Sequence, residues 1–162
     1  MLPDTSLYYF DTSALVKLYV TERGSRRLRG WVGHRKLGLS PQVRIFVSRL
    51  VFPETMSAIT RRRNDGTLSQ QAASGLWTDV ATDFMRGNPP YILVEPTQTI
   101  VGRAALLVPT HGIRGYDAVQ LATALSVQMR LDDPATLLFV SSDSALTKAA
   151  KAAGLATADP AA

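Results

Sequence analysis

Four acidic residues stand near predicted junctions between strands and helices, where carboxylates from separate segments could act together. They are Asp11, Glu54, Asp117 and Asp143. An all-oxygen set of ligands, without histidine or cysteine, suits Mg²⁺ or Mn²⁺ better than zinc. Such a cation can hold a phosphate oxygen, favour a bound hydroxide and stabilise a leaving oxygen. The chemistry that these residues predict is therefore hydrolysis of a phosphodiester bond.

Two of the acids follow predicted strands. Asp11 comes directly after the apolar segment 7–10, and Asp143 follows the apolar run "LLFV" after two serines. Ligands of parallel sheets bind at the carboxyl ends of the strands, so we expect both carboxylates at that edge. Two unit charges about 4 Å apart repel by about 4 kcal/mol at an effective dielectric of about 20. A shared site therefore requires a neutralising cation or raised pKa values.

The other two acids lie in the first turns of predicted helices. Glu54 follows the strand candidate "RIFVSR", and Asp117 shares a helix face with the apolar Leu121, Ala124 and Leu125. An acid at the head of an apolar stripe is not expected to face plain solvent.

Each acid also has an ordinary structural interpretation. Asp is a preferred N-cap, so Asp11 and Asp143 could serve only to begin helices. Glu54 and Asp117 could simply complement helix dipoles. Four independent caps at one edge of a sheet explain the pattern less well than one shared site.

The elements that must position these acids alternate along the chain. The predicted strands are 7–10, 44–49, 91–95, the apolar run in "ATLLFVSSD", and 155–157. The predicted helices are the segment after Asp11, then 22–32, 50–63, 67–86, 97–108, 116–131 and 144–153. The pattern predicts an α/β three-layer sandwich, with a mostly parallel five-stranded sheet flanked by helices. The glycine-rich stretch "VGHRKLGLSPQ" is predicted to be a loop.

Length and composition fit a folded enzyme-sized domain. The 162 residues predict a single domain, 1–162, in which 158–162 form a loose tail. A hydrophobic content of 46% argues against disorder, and the lack of cysteine excludes disulfides and thiolate metal sites. The N-terminus does not read as a secretion signal, and no apolar run is long enough to span a bilayer. We therefore expect a cytoplasmic protein.

The charge balance favours a polyanionic partner. The formal net charge is +5 at pH 7. Such a charge suits nucleic acid or an acidic protein segment, and charge alone does not choose between them.

The sequence resembles the PIN-domain ribonucleases, and most closely the VapC-type toxins of type II toxin–antitoxin systems. The likeness rests on "YFDTSALVKLY", "PETMSAI", "RGYDAVQLATAL" and "LLFVSSDSALTKAAKAAGL", which occur in the family's order over nearly the whole chain. It implies a PIN-like fold and endonucleolytic cleavage of RNA that depends on Mg²⁺ or Mn²⁺. By motif, the four acids become the catalytic, metal-binding residues, and Ser13 and Ser141 become supporting hydroxyls.

The chain departs from the family pattern in three places. The family often has Thr where Ser141 stands, a change that keeps the hydroxyl. The segment between "ITRRR" and "YILVE" is longer than expected, and a glycine-rich insertion surrounds His34. These insertions bear on contacts with partners or RNA.

The resemblance also implies partners and a biological role. The partners are an RNA substrate, a cognate antitoxin protein that covers the site, and a second copy of the chain in a homodimer. The role is that of a toxin that inhibits translation. The alternative is a PIN-like nucleic-acid-binding or interaction module without turnover, against which the presence of all four acids argues. A HAD-type phosphatase needs a second acid two residues after Asp11, where Ser13 stands, and no P-loop motif occurs.

Arginines are clustered in "RRLRGWVGHRK" and "RRRNDG". Single-stranded RNA could be held by these cations and stacked on Trp31 or a tyrosine. The residues that we predict to contact RNA are Arg61, Arg62, Arg63 and Arg114. A solvated basic face is the alternative interpretation of each.

Overall fold

A parallel sheet of five strands forms the centre of the computed structural model, which describes residues 6–35, 38–86 and 89–162. Its strands are β1 (Leu7–Phe10), β4 (Arg44–Ser48), β5 (Ile92–Val94), β6 (Leu137–Val140) and β7 (Ala156–Ala158). Two further strands, β2 (Gly33–His34) and β3 (Gly38–Leu39), pair with each other outside this sheet. The order in the sheet is β5-β4-β1-β6-β7, and every neighbouring pair is parallel. The predicted fold class is confirmed.

Helices cover both faces of the sheet. They are α1 (Thr12–Tyr19), α2 (Ser25–Val32), α3 (Val51–Asn64), α4 (Gln70–Met85), α5 (Gln98–His111), α6 (Gly115–Gln128) and α7 (Ser144–Ala152). Apolar residues of α1 to α4 form one core, and those of α5 to α7 form the other. In the described part of the chain, no helix is both long and apolar enough to cross a membrane.

Strand β1 lies at the middle of the sheet because its sequence "LYYF" supplies apolar groups to both faces. Tyr8 and Phe10 belong to the core with α1 to α4, and Tyr9 belongs to the opposite core. The Tyr9 ring stacks on Phe139 of β6 with 5.5 Å between ring centroids. A strand buried on both faces reads as a continuous apolar run. Its carboxyl end therefore delivers Asp11 to the middle of the sheet edge.

The predicted loop around His34 contains a short antiparallel ribbon. Strands β2 and β3 pair through Gly33 with Leu39 and His34 with Gly38. Gly33 has φ of 89°, and a Cβ there would lie 2.9 Å from the Gly38 carbonyl oxygen. Two-residue strands carry no periodicity, so the sequence did not predict them.

Four helix boundaries differ from the predictions by three residues. Helix α4 begins at Gln70 and not at 67, α6 ends at Gln128 and not at 131, and the other two changes occur at glycines. The helix predicted from residue 22 begins at Ser25, after Gly24 adopts a left-handed conformation with φ of 88°. The helix predicted to end at 108 continues through Pro109 and ends before Gly112, which has φ of 64°. Both changes follow from glycines, which adopt the left-handed backbone that ends or precedes a helix.

The C-terminal residues 158–162, predicted to be a loose tail, make contacts with the fold. The Asp159 carboxylate accepts hydrogen bonds from Ser142 Oγ at 2.7 Å and from the Ala161 backbone at 2.8 Å. Pro160 is buried, and a Cβ on Gly24 would lie 2.8 Å from its carbonyl carbon. The segment therefore packs against the start of α2 and the loop that follows β6.

A buried ionic network attaches the ribbon to α4. The guanidinium of Arg35 lies 2.9 Å from Asp83 and 2.7 Å from Asp79, and it stacks over the Tyr19 ring at 4.4 Å. Tyr19 also donates a hydrogen bond to Asp83 at 2.9 Å. The side chain of Asp83 is 5% exposed, whereas that of Asp79 is 33% exposed.

We predict that Asp83→Ala destabilises the protein by about 3–5 kcal/mol, because it removes one partner of a buried ion pair. Asp79→Ala is the matched control, and its more exposed pair is expected to contribute about 1 kcal/mol or less. Urea unfolding followed by circular dichroism measures both free energies. Equal small losses in the two variants would contradict the importance of the buried pair.

Candidate active site

A cleft of about 870 Å³ opens at the carboxyl edge of the sheet, and all four predicted acids line it. Asp11 joins β1 to α1, Glu54 lies in the first turn of α3, Asp117 lies in the first turn of α6, and Asp143 precedes α7. Four separate segments of the chain thus bring carboxylates to one cavity. This arrangement follows from the sheet order, because β4, β1 and β6 are adjacent.

Asp11 is both a helix cap and a member of the cleft. It is 4% exposed, and its Oδ1 accepts from the Ala14 backbone at 2.9 Å and from Ser13 Oγ at 2.8 Å. Its Oδ2 accepts from Ser141 Oγ at 2.7 Å. The two interpretations that the sequence left open are therefore compatible for this residue.

The two serines connect the acids to one another. Ser13 Oγ accepts a hydrogen bond from the Ser142 backbone at 2.8 Å, and Ser141 Oγ accepts from the Asp143 backbone at 3.0 Å. Each serine also donates to Asp11. The loop that carries Asp143 is thereby fixed to the start of α1.

Burial and the repulsion between carboxylates make ionisation of Asp11 and Asp117 unfavourable. Desolvation raises the pKa of Asp11 to about 6 despite hydrogen bonds from Ala14, Ser141 and Ser13, and the charge of Asp143 acts in the same direction as burial. The pKa of Asp117 is also raised, first by burial and then by Asp143, while Arg114 opposes the shift. The cleft therefore holds more negative charge than its own groups neutralise.

Glu54 is oriented by two side chains that the sequence analysis did not assign to the site. Its Oε2 accepts from Thr12 Oγ1 and from Gln120 Nε2, each at 2.7 Å. Gln120 is 2% exposed, and its Oε1 accepts from Tyr9 at 2.8 Å. Neither of these bonds engages Oε1 of Glu54. A polar residue inside the apolar run "YDAVQLATAL" was the available signal for Gln120.

A fifth acid, Glu22, lines the cleft, but cations already neutralise it. Lys17 lies 2.7 Å from one of its oxygens, and Arg62 lies 2.6 Å from the other. Although burial acts to raise the pKa of Glu22, hydrogen bonds and charge from these two cations hold it below its usual range. Glu22 therefore differs from Asp11 and Asp117, whose pKa values are raised.

The predicted RNA-contacting arginines are only partly gathered at the cleft. Arg61, Arg62 and Arg114 line it. The Arg114 side chain is 85% exposed and lies 3.3 Å from Asp117 and 3.8 Å from Asp143. Arg63 does not line the cleft, and its guanidinium stacks over Trp77 at 5.2 Å. Lys36 of the other basic cluster lies outside the described residues.

The donor set fits a hydrated divalent cation. Among residues 6–35, 38–86 and 89–162, no three acidic or histidine side chains are close enough to hold a metal ion by themselves. Mg²⁺ keeps several water ligands and commonly uses only one or two carboxylates, so a tighter cluster is not required. The raised pKa values of Asp11 and Asp117 show that the cleft favours an added positive charge.

The comparison with known families gives the class of protein. A PIN domain model matches residues 8–152, and the chain belongs to the PIN domain family. The family resemblance inferred from the motifs is confirmed.

Particular relatives narrow this class to the VapC ribonucleases. The chain is 39% identical over 124 residues to Ribonuclease VapC45 of Mycobacterium tuberculosis (strain CDC 1551 / Oshkosh), spanning 75% of this chain and 76% of the relative. The same values hold for Ribonuclease VapC49 of Mycobacterium tuberculosis (strain ATCC 25618 / H37Rv). The crystal structure of PAE2754 from Pyrobaculum aerophilum superposes with a TM-score of 0.62 at 19% identity, covering 95% of this chain and 89% of that one, and so shares the fold.

Because the pKa of Asp11 is raised, replacing its carboxyl by a neutral amide should stabilise the folded protein, and this gain should depend on pH. Well below its ordinary pKa of 3.8 the carboxyl is protonated in the folded and unfolded states, and burial of charge costs nothing. Above the folded pKa of about 6 the full cost is present. It amounts to about 3 kcal/mol, since one pKa unit corresponds to about 1.4 kcal/mol.

In EDTA, the free energy of unfolding of Asp11→Asn relative to wild type should therefore rise between pH 4 and pH 7, by up to about 3 kcal/mol. Urea titrations of both proteins at each pH measure this difference, and pH-independent costs of the substitution cancel. A difference that stays constant across the range would contradict the raised pKa.

Proposed function

We propose that the protein is a metal-dependent endoribonuclease that hydrolyses phosphodiester bonds of RNA and acts as the toxin of a toxin–antitoxin pair that inhibits translation. The carrying observation is that acids from four separate segments line one cleft at the carboxyl edge of the sheet. Membership in the PIN domain family and 39% identity to two proteins named ribonucleases support the same activity.

The acids divide into two roles. Asp11, Asp117 and Asp143 would hold Mg²⁺ or Mn²⁺, directly or through water, and relieve the repulsion that raises two of their pKa values. The bound cation would supply charge stabilisation at a phosphate oxygen and at the leaving oxygen, and would lower the pKa of a water. Ser13 and Ser141 fix the positions of Asp11 and Asp143 relative to each other.

Glu54 would orient the attacking water or ligate a cation. Thr12 and Gln120 hold its Oε2, so its Oε1 can accept the proton of a water in the cleft. A general base must be held within hydrogen-bond reach of the proton that it removes. By family resemblance, the products would carry a 5′-phosphate and a 3′-hydroxyl.

Arginines at the cleft would contact the RNA backbone. Arg114 is exposed beside two acids, where its guanidinium can donate to the oxygens of the phosphate under attack. Arg61 lines the same cleft and donates only to Ser57 among the described residues. Arg62 keeps its position through Glu22, and Arg63 lies outside the cleft lining.

The proposed role includes a cognate antitoxin, a homodimer and a cytoplasmic location, all of which rest on the family resemblance. Tyr116 lines the cleft and is 60% exposed, and Met85 at the end of α4 is 76% exposed. Large exposed apolar groups of this kind are available to protein partners.

A PIN-like binding module without turnover is the weaker alternative. Such a module would gain nothing from burying Asp11 at the expense of a raised pKa, or from orienting Glu54 with a buried glutamine. Groups held in unfavourable protonation states are typical of catalytic sites.

The first test of the activity is its dependence on metal and on Asp117. Cleavage of a 5′-labelled single-stranded RNA should be abolished by EDTA and restored by Mn²⁺ or Mg²⁺. Asp117→Asn should lower the rate by about 100-fold or more, because several kcal/mol of charge stabilisation depend on the cation. Asp132→Asn, an exposed position outside the cleft, is the matched control. Undiminished cleavage in EDTA or by Asp117→Asn would refute the proposal.

The second test concerns the buried glutamine. Gln120→Met removes the donor to Glu54 at nearly constant volume, and Tyr9→Phe removes only the hydroxyl that orients Gln120. We predict that Gln120→Met lowers kcat about tenfold with KM for RNA unchanged, because a lost hydrogen bond is worth about 1 kcal/mol or more. Tyr9→Phe should have a smaller effect of the same kind.

Gln128→Met in the same helix is the control for the glutamine substitution, since its amide bonds only to backbone oxygens of Pro134 and Gly154. Single-turnover rates at saturating Mn²⁺ separate kcat from binding, and thermal unfolding monitors the fold. Equal kcat values for the Gln120 and Gln128 variants would exclude a positioning role.

A further inference from the structure

A second cavity, which we call the arginine groove, lies beside the catalytic cleft. Its volume is about 760 Å³. One wall is formed by Arg23, Arg26, Arg27 and Trp31, and the other by residues 160–162. Within α2, Arg27 and Trp31 are four positions apart, so their side chains lie on one helix face. The adjoining face of α2 buries Leu28 and Val32 in the core.

The groove retains uncompensated positive charge. No acidic residue contributes to its lining. Within the described residues, the side chains of Arg23 and Arg26 have neither an ion pair nor a hydrogen bond, whereas Arg35 and Arg62 are both paired with carboxylates. Arg27 is bound to a main-chain oxygen of Ala162, so Arg23 and Arg26 supply the free positive charge of the groove. Guanidinium groups in such a setting are suited to phosphate oxygens.

Trp31 adds a flat aromatic surface to the cationic wall. It is only partly buried against the core. Its neighbour Gly30 has no side chain, and a Cβ there would meet nothing within 4 Å, so the space beside the helix is open. A positive groove with an aromatic side chain is the combination that binds single-stranded nucleic acid through phosphate contacts and base stacking. An acidic peptide would use the charges but not the ring.

Residues that line the groove are close in sequence to residues that line the cleft or that contact its loops. Glu22 lines the cleft, and the next residue, Arg23, lines the groove. On the other side, Ser142 precedes the catalytic candidate Asp143 and donates to Asp159, which is followed by Pro160 of the groove. A strand of RNA that reached from the cleft to the groove would pass over these residues.

We propose that the arginine groove binds a single-stranded segment of the RNA substrate beyond the bond that is cleaved, with phosphates on Arg23 and Arg26 and a base on Trp31. The groove selects unpaired RNA long enough to reach past the cleft. This inference rests on the proposed ribonuclease function, which it deepens by naming a substrate class and a second contact site.

The test uses the double substitution Arg23→Gln with Arg26→Gln. Both side chains are exposed and unpaired within the described residues, so the fold should be retained. Binding of labelled single-stranded RNA is measured by fluorescence anisotropy in EDTA at several salt concentrations. Loss of two phosphate contacts should weaken binding several-fold at low salt and reduce the slope of log K against log salt by about 1.4.

The matched control is Arg103→Gln with Arg130→Gln, which changes charge equally on the opposite helical layer. Arg103 lies in α5, and Arg130 follows α6 at the end remote from the cleft. This variant should keep the wild-type salt slope. If both double variants change the slope equally, net charge and not the groove governs binding, and the proposal is overturned.

Cleavage assays in Mn²⁺ separate this inference from the ribonuclease proposal. The groove variant should lose kcat/KM several-fold on a long unpaired RNA and keep the wild-type value on a short oligonucleotide that only fills the cleft. Wild-type protein that binds RNA in EDTA but never cleaves it would refute the nuclease and support the groove. Wild-type cleavage with an unchanged salt slope in the groove variant would refute the groove alone.

Tryptophan emission tests the stacking contact and the competing peptide ligand. The chain has two tryptophans, so Trp77→Phe leaves Trp31 as the sole reporter. Unpaired RNA should quench this emission, and a polyglutamate peptide should not. If the groove substitutions abolish polyglutamate binding and leave RNA binding intact, the groove is a protein-binding surface and the proposal is wrong.

Discussion

The carboxylate of Asp11 is buried at the end of the central strand, where Ser13, Ser141 and the Ala14 backbone donate to its oxygens. These bonds fix its position but do not cancel the cost of burial, and its pKa remains raised to about 6. Asp117 experiences the same two influences, burial and the charge of Asp143. The protein thus keeps carboxylates at one edge of its sheet whose negative charge is not fully neutralised by its own groups. A site of this kind is stabilised by whatever positive charge binds there.

The topology of the sheet brings these carboxylates together. Strands β4, β1 and β6 are adjacent and parallel, so the segments that follow them converge on one cleft. Helix α6 contributes Asp117 from its first turn and Gln120 one turn later, and the latter reaches Glu54 on α3. The chain uses one helix from each layer to orient the acids. In the proposed function, the arginine groove would add contacts to the substrate beyond those of the cleft.

The sequence predicted the fold class and the convergence of the four acids because both depend on local patterns. The apolar run at β1 and the one at β6 identify central strands, and an acid after each strand must emerge at the carboxyl edge. The β2–β3 ribbon, Gln120 and the contacts of Asp159 were not predicted, because each depends on which segments meet in three dimensions. Arg63 illustrates the same limit, since its neighbour Arg62 enters the cleft while Arg63 stacks on Trp77. Sequence proximity alone does not distinguish the two.

Mn²⁺ binding to the wild-type protein and to Asp11→Asn tests the central claim most directly. Electron paramagnetic resonance reports free Mn²⁺ during titration at pH 7.5 and requires no RNA and no catalysis. The account predicts that wild type binds Mn²⁺ and that Asp11→Asn binds it at least about tenfold more weakly, a loss of about 1.4 kcal/mol. Equal affinities in the two proteins, or no binding by wild type, would contradict the claim that these carboxylates form a cation site.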